Sequence, residues 1–264
     1  MTQSNIPMSN APFPRAKRVL LGEQTVWTLL ANIAHIFRRH FGVVVGTAVI
    51  PVLPPVIIIA LALSNLSPEE STPAVIVAAL LSYMGLFLVP AVLTVVLSDI
   101  CLGNTPTLKR AFVRVLGQRR WWYLFTTAML LGLMFLPGLI LLIVPGLWVI
   151  VRTWFVMPIV VLEDRRNSAA IRRSFALTKG QAWRLSGLLF LIFLLYYLIS
   201  ALVTLTLGAI VPQSASVYLP LLIGLVNFVL TTPVSSMFVV LLYYDQRVRR
   251  ESYDAQALAE DLMR

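Results

Sequence analysis

Long apolar runs separated by short polar segments form the main pattern of the chain. The runs reach roughly 20 residues, and at about 1.5 Å per residue each can cross a hydrocarbon core of ~30 Å. The pattern predicts an all-α integral membrane protein with six transmembrane helices in three hairpins. The predicted spans are residues 41–63, 74–98, 122–144, 146–162, 185–211 and 221–244.

A basic amphipathic helix is predicted before each hairpin. Apolar residues recur at three- and four-residue spacing and define one face, while arginine and lysine occupy the other. The apolar faces comprise Val26, Leu30, Ile33 and Phe37 in the first helix, Leu108, Phe112 and Val115 in the second, and Ile171 and Phe175 in the third. Thr105 and Pro106 are expected to begin the second helix. Helices of this kind are typical of the membrane interface.

Prolines are expected to shape the spans and their turns. Pro51, Pro54 and Pro55 each remove an intrahelical hydrogen bond, so the first span is expected to kink or break. The third and fourth spans are expected to turn at Pro145-Gly146, and residues 64–73 to form an acidic loop.

Three regions follow from this pattern. Residues 1–21 are expected to be a disordered cytoplasmic N-terminus, residues 22–244 the six-span membrane domain, and residues 245–264 a charged cytoplasmic C-terminal helix. In that last helix, Arg247 with Glu251 and Arg250 with Asp254 have the i, i+4 spacing that stabilises helices in water.

Composition and charge agree with this architecture. The 264 residues are 59% hydrophobic and only 12% charged, whereas soluble domains average about 25% charged residues. All lysine and arginine residues except Arg152 precede the first predicted span, follow the sixth, or lie in the loops after the second and fourth. The positive-inside rule therefore predicts that both termini are cytoplasmic. Because topology explains the net charge of +10, we expect no nucleic-acid partner.

Arg152 is the only charged residue deep within a predicted span. An intramembrane arginine costs several kcal/mol unless it is paired, and it is a functional-site hypothesis by default. It either binds a ligand, or it snorkels or bonds to carbonyls that nearby prolines leave free.

Asn227, Thr231 and Ser235 form a polar stripe at i, i+4 and i+8 on the sixth span. Such a stripe joins helices, lines a transport path or supplies hydrogen-bond partners for Arg152.

Four further arginines are candidate sites for lipid headgroups. Basic residues beside a membrane attract anionic phospholipids. The expected outward-facing contacts with anionic phospholipid headgroups are Arg110, Arg114, Arg172 and Arg173.

Catalytic signals are weak along the whole sequence. The only histidines, His35 and His40, lie in a basic amphipathic helix, and no nucleophile, zinc or phosphate-loop motif is present. We therefore expect no catalytic residue, no metal and no cofactor. A surface hydrolase would require Glu163 and Asp99 to converge, and it is the least favoured class.

Several short motifs carry a family resemblance. They are Val144-Pro145-Gly146, Arg152, Pro158, Glu163, Ala170–Ser174, Leu177–Gly180, Trp183, and the tail Tyr244–Glu251 with Asp254. Over roughly residues 22–262 the chain resembles the glycerophosphoryl diester phosphodiesterase membrane-domain family, and more weakly bacterial inner-membrane proteins with the same six-span plan. The resemblance implies a multipass membrane domain without the soluble phosphodiesterase barrel and without known catalytic residues. It also implies a lipid context and a bacterial inner membrane.

Two functional hypotheses follow. The first is a non-enzymatic module in envelope or lipid homeostasis or in membrane scaffolding, whose partners are the lipid bilayer and either another membrane protein or a second copy. The alternative is a small transporter or lipid carrier that uses the broken first span, Arg152 and the sixth-span stripe.

Overall fold

The structure, a computed structural model, describes residues 22, 24–65, 67–117, 120–141, 143–210 and 218–263. Every regular element among these residues is an α-helix. The helices are α1 (Val26–Arg39), α2 (Phe41–Asn65), α3 (Pro68–Leu102), α4 (Leu108–Leu116), α5 (Arg120–Leu141), α6 (Ile143–Thr153), α7 (Val156–Leu162), α8 (Asn167–Thr178), α9 (Ala182–Ile210), α10 (Leu219–Glu251) and α11 (Ala255–Met263). The predictions for residues 1–21 and for most of the loop before the sixth span lie outside the described residues.

Four helices in the described ranges are long and apolar enough to cross a membrane. They contain residues 41–62, 71–102, 182–210 and 219–251, and they correspond to the first, second, fifth and sixth predicted spans. Among the described residues, the third and fourth predicted spans contain shorter apolar helical stretches, at residues 121–134 and 148–162. An all-helical protein with several apolar helices is therefore confirmed, while the crossing of the third and fourth spans stays a prediction.

The fourth predicted span is divided into two helices, α6 and α7. Pro158 has no N–H, and its ring clashes with the carbonyl four residues earlier, at Trp154. The chain accordingly leaves the helix at Trp154 and Phe155 and resumes at Val156, which places Pro158 in the first turn of α7, where proline is tolerated. The prediction of one continuous helix over residues 146–162 is wrong for this reason.

Other prolines are accommodated inside helices. Pro51, Pro54 and Pro55 all lie within the single helix α2, so the first span does not break, and the alternative of a kink stays a prediction. The predicted turn at Pro145-Gly146 lies inside α6, because α5 ends at Leu141 and α6 begins at Ile143. The first N–H groups of a helix have no acceptor within the helix, so a proline at these positions removes no hydrogen bond. Sequence alone therefore does not distinguish a Pro-Gly pair in a first helical turn from one in a turn between helices.

The predicted acidic loop is also shorter than expected. Helix α2 continues to Asn65 and α3 begins at Pro68, so most of residues 64–73 are helical. Similarly, Thr107 is the N-cap residue of α4, two residues after the predicted Thr105.

The three amphipathic helices exist as α1, α4 and α8. In α1, the buried residues are Leu29, Ile33 and Ile36, whereas Val26 is exposed. Leu30 and Phe37 are partly buried against the core, so these two and Ile33, three of the four predicted apolar residues, face inward. Helix α1 packs against α10. Their location in a membrane interface stays a prediction.

The core lies at one end of the bundle. The second half of α3, the helix α7 and the second half of α10 are almost completely buried there, with α8 and α11 packed against them. Toward the other end, α2, α3 and α9 expose many large apolar side chains. We call the end that contains Glu163, Asp245 and Asp261 the polar end.

The C-terminal segment is part of this core. The helix of the sixth span continues through Glu251, Ser252 adopts φ 51°, and α11 folds back against α3 and α7. Tyr253, Leu258 and Leu262 are buried. The prediction of a separate charged helix over residues 245–264 is therefore wrong. A left-handed residue at a helix end reverses the chain, and here it returns apolar side chains to the core.

Candidate functional site

The break between α6 and α7 is held by a serine of α8. The Ser174 hydroxyl donates to the Arg152 carbonyl at 2.7 Å and accepts from the Phe155 N–H at 3.3 Å. Ser174 and Phe155 are completely buried. Because water cannot reach these backbone groups, the serine provides the partners that the broken helix lacks.

Arg152 binds the C-terminal end of α8. Its guanidinium donates to the Phe175 carbonyl at 3.1 Å and lies 4.8 Å from the centre of the Trp148 ring. Arg250 of α10 donates to the Ala176 and Lys179 carbonyls at the same helix end. A helix C-terminus carries a partial negative charge, so two arginines stabilise it. The pairing predicted between Arg250 and Asp254 is therefore not formed.

The sixth-span stripe lies apart from these contacts of Arg152. Thr231 donates to the Asn227 carbonyl at 2.7 Å, Ser235 donates to the Thr232 carbonyl at 3.0 Å, and the Asn227 amide donates to the Ile223 carbonyl at 3.0 Å. All three acceptors belong to α10 itself. In the described part of the chain the stripe is consequently not the partner of Arg152, and the buried Asn227 Oδ1 makes no hydrogen bond.

A cleft of about 360 Å³ opens beside this stripe. It lies between α3, α5, α6, α7, α9 and α10. Its lining comprises Leu86, Phe87, Pro90, Leu131, Ile150, Thr153, Trp154, Met157, Tyr196, Thr231, Thr232, Ser235, Ser236 and Val239. The cleft thus combines an apolar wall with a row of hydroxyl groups, and none of these lining residues is charged.

A cluster of carboxylates and arginines joins four helices at the polar end. Arg173 of α8 donates to Glu163 at 2.8 Å and to Glu251 of α10 at 2.8 Å. Arg247 of α10 donates to Glu251 at 3.0 Å and to Asp261 of α11 at 2.6 Å. We call these five residues the ionic cluster. Because each carboxylate is bonded to an arginine, the cluster fastens helices together.

Two tyrosines complete the ionic cluster. Tyr243 donates to Glu163 at 3.0 Å and Tyr253 donates to Asp261 at 2.8 Å. The Arg247 guanidinium lies 3.7 Å from the centre of the Tyr253 ring. Burial raises the pKa of the Tyr253 hydroxyl, and neighbouring tyrosines add to the effect. Tyr253 therefore remains a neutral hydrogen-bond donor.

The charge of Arg173 is secured by its partners. Burial by itself would lower the pKa of Arg173, but hydrogen bonds and charge attraction from Glu163 and Glu251 outweigh burial and raise this pKa. The guanidinium is therefore charged at any physiological pH, as the ion pairs require.

A second buried carboxylate fixes the start of α1. Asp245 accepts from the Gln24 backbone N–H at 2.8 Å, from Arg184 at 3.1 Å and from Arg249 at 2.9 Å. Asp245 is completely buried. These bonds connect the segment before α1 with α9 and α10, and they compensate the cost of burying the charge.

The two carboxylates of the hydrolase hypothesis belong to separate contacts. Asp99 is buried at the end of α3, 3.6 Å from the Arg110 guanidinium, whereas Glu163 belongs to the ionic cluster. Among the described residues, no group of three histidine, cysteine, aspartate or glutamate side chains is arranged to hold a metal ion.

The four candidate headgroup arginines have different environments. Arg172 is exposed and Arg110 is 54% exposed, but Arg114 is half-buried. Arg173 is only 17% exposed, because it bonds two carboxylates. The prediction that Arg173 faces outward is therefore wrong. Contact of the others with lipid headgroups stays a prediction.

Sequence reasoning missed Ser174, Tyr243 and Asp245. The transition from apolar to charged residues after Tyr244 suggested the end of a span, although α10 continues for another two turns. The aromatic residues Tyr243, Tyr244 and Tyr253 around this charged stretch were the available signal. Aromatic side chains of that size are seldom left in a fully solvated helix.

One comparison with known proteins gives a match. Residues 122–257 match a family described as the membrane domain of glycerophosphoryl diester phosphodiesterase. No curated protein and no solved structure matches the chain. The matched region contains the α6–α7 break, the ionic cluster except Asp261, and the sixth-span stripe.

Proposed function

Because the chain belongs to the family of membrane domains of glycerophosphoryl diester phosphodiesterase, we propose that this multipass membrane protein is a non-enzymatic module of envelope or lipid homeostasis. In this proposal it resides in a bacterial inner membrane with both termini in the cytoplasm, and it holds anionic phospholipids or scaffolds a second membrane protein or a second copy. The distribution of lysine and arginine along the sequence supports the orientation.

The observation that carries the proposal is the exposure of tryptophan and arginine side chains on α1, α8 and α9. Trp27 of α1 and Trp183 of α9 are 81% and 92% exposed. Arg38, Arg39 and Arg172 are also exposed. Indole rings favour the boundary between lipid and water, and exposed arginines attract anionic headgroups. Together they fit a surface that rests on a negatively charged leaflet.

The test compares the affinity of purified protein for phosphatidylglycerol in nanodiscs before and after loss of charge. In the variant, Arg38, Arg39 and Arg172 are replaced by glutamine. Each basic residue near an anionic surface contributes about 1 kcal/mol, so the variant should bind phosphatidylglycerol about 100-fold more weakly.

The matched control replaces the same three arginines by lysine, which preserves charge. We expect its affinity to remain within a few-fold of the wild type. Equal affinity of the glutamine variant and the wild type would contradict the surface role. Arg110 and Arg173 are unsuitable here, because their loss would leave the buried Asp99 and Glu163 with fewer partners.

A lipid carrier or small transporter is the second candidate, and the cleft beside α10 favours it. Arg152 is bonded to α8, and α2 is one helix, so the cleft and its stripe are the part of this hypothesis that remains supported. The test is transfer of a fluorescent lipid between the leaflets of proteoliposomes. Transfer no faster than in protein-free liposomes would exclude the lipid carrier.

A further inference from the structure

We propose that the cleft beside the sixth-span stripe, between α3, α5, α6, α7, α9 and α10, binds an uncharged glycerolipid that carries one free hydroxyl group, with diacylglycerol as the defining ligand. The proposal rests on the cleft that also favours the second candidate function. It concerns binding and not movement between leaflets, so it holds or fails independently of the transfer assay.

The lining excludes a charged ligand group. No lining residue of the cleft carries a charge. Arg152, whose neighbours Ile150 and Thr153 line the cleft, is bonded to the Phe175 carbonyl of α8. A phosphate buried here would lose its water without gaining a counter-charge, which is strongly unfavourable. Phospholipid headgroups are therefore disfavoured, whereas neutral lipids are accepted.

The hydroxyl row supplies hydrogen-bond acceptors. Thr231 and Ser235 have each donated their hydroxyl hydrogen to a carbonyl of α10, and Thr153 has donated its hydrogen to the Val149 carbonyl. Each oxygen retains lone pairs that point away from its own donated bond. A ligand suited to this wall must bring a hydrogen-bond donor, as the free hydroxyl of diacylglycerol does.

Ser236 adds a further hydroxyl group to the lining. It lines the cleft, and only 3% of the residue is exposed. A hydrogen bond between a ligand and this largely buried hydroxyl group is electrostatically stronger than one in water.

The remaining polar side chains suit ester groups. Trp154 and Tyr196 also line the cleft, and they carry an N–H and an O–H donor. The ester carbonyls of a glycerolipid accept hydrogen bonds from such donors. The lining thus contains acceptors for one hydroxyl and donors for ester oxygens, which distinguishes diacylglycerol from a hydrocarbon chain alone.

The size and opening of the cleft fit the glycerol end of this lipid. A volume of about 360 Å³ corresponds to about a dozen water-sized groups. A glycerol with two ester groups has about ten non-hydrogen atoms. The lining residues Leu86 and Tyr196 are 50% and 42% exposed. The cleft therefore opens toward the bilayer, where the acyl chains can remain.

The first experiment uses the wild-type protein in nanodiscs with a photoreactive diacylglycerol. We expect crosslinks on the α6–α7 and α10 residues of the cleft, and we expect unlabelled diacylglycerol to suppress them. Triacylglycerol, which has no hydroxyl, should compete at least about fivefold less well, the effect of one lost hydrogen bond. Phosphatidic acid should compete at least as poorly, because its phosphate would be buried without a counter-charge. Equal competition by triacylglycerol or phosphatidic acid would overturn the proposal.

The second experiment tests the place of binding. Ser235→Leu fills the cleft from a half-buried position, and Thr232→Val removes a hydroxyl at constant size. The control is Thr206→Val, the same substitution as Thr232→Val at a position that does not line the cleft. The hydroxyl of exposed Thr206 of α9 donates to the Leu202 carbonyl at 2.7 Å, as the hydroxyl of Thr231 donates to the Asn227 carbonyl. We expect Ser235→Leu to reduce labelling about tenfold and Thr232→Val about fivefold, and Thr206→Val to leave it unchanged.

The outcomes separate binding in the cleft from general contact with lipid. Labelling that is as strong around Thr206 as around Ser235, or that persists in both cleft variants, would refute the site. If a cleft variant fails to fold, the competition experiment on the wild-type protein still decides the ligand class. A negative transfer assay together with specific labelling would exclude the carrier and leave the binding site intact.

Discussion

Replacement of Ser174 by alanine tests how the break between α6 and α7 is stabilised. The Ser174 hydroxyl bridges the Phe155 N–H and the Arg152 carbonyl on the two sides of the break. Alanine removes the bridge without adding volume. We expect the variant to fold into the same helices but to be less stable.

The magnitude follows from the two groups that lose a partner. Each unsatisfied buried donor or acceptor costs about 1–3 kcal/mol. The bond to Arg152 is short at 2.7 Å, whereas the bond from Phe155 is longer at 3.3 Å and contributes near the lower limit. The free energy of unfolding should therefore fall by about 2–4 kcal/mol, and the equilibrium should shift roughly 30- to 1,000-fold toward the unfolded state.

The assay is reversible unfolding in mixed micelles, followed by intrinsic tryptophan fluorescence, to which Trp148 and Trp154 near the break contribute. Ser82→Ala is the matched control. Ser82 donates to the Ala78 carbonyl at 2.8 Å inside the regular helix α3, where the carbonyl keeps its backbone partner. We expect the control to change the free energy of unfolding by less than about 0.5 kcal/mol. Equal stability of the two variants would refute the bridging role of Ser174.

Two further predictions concern packing away from the break. Arg247→Met should remove the ion pair between Arg247 and the buried Asp261 and lower stability by about 3–5 kcal/mol, measured as faster hydrogen exchange over residues 252–263; unchanged exchange would contradict the clamping role of the ionic cluster. Gly132→Ala should place a Cβ 2.6 Å from the Tyr83 hydroxyl and lower stability by about 1 kcal/mol or more in thermal unfolding. Gly187→Ala, where no atom lies within 4 Å of the added Cβ, should be neutral or stabilising, and an equal loss in both glycine variants would exclude a local clash.

The cleft and the ionic cluster differ in how far sequence could predict them. The stripe of Asn227, Thr231 and Ser235 was visible as a helical spacing, but the wall opposite it comes from α3, α6 and α9, which no local pattern connects with α10. The partners of Arg173 are ten and 78 residues away along the chain. Contacts at such separations depend on how helices pack, and short-range periodicity carries no record of them.

The sequence by itself determined that this protein is helical and belongs to a membrane, because long apolar runs have few other stable solutions in lipid. It also determined four long helices and three amphipathic ones, since their periodicity is a local property. Only the tertiary structure decided that Pro158 divides a predicted span, that α11 returns to the core, and that Arg152 binds a helix end. Each of these outcomes depends on whether a distant segment supplies a partner for a buried polar group, and Ser174 at the α6–α7 break is the clearest example.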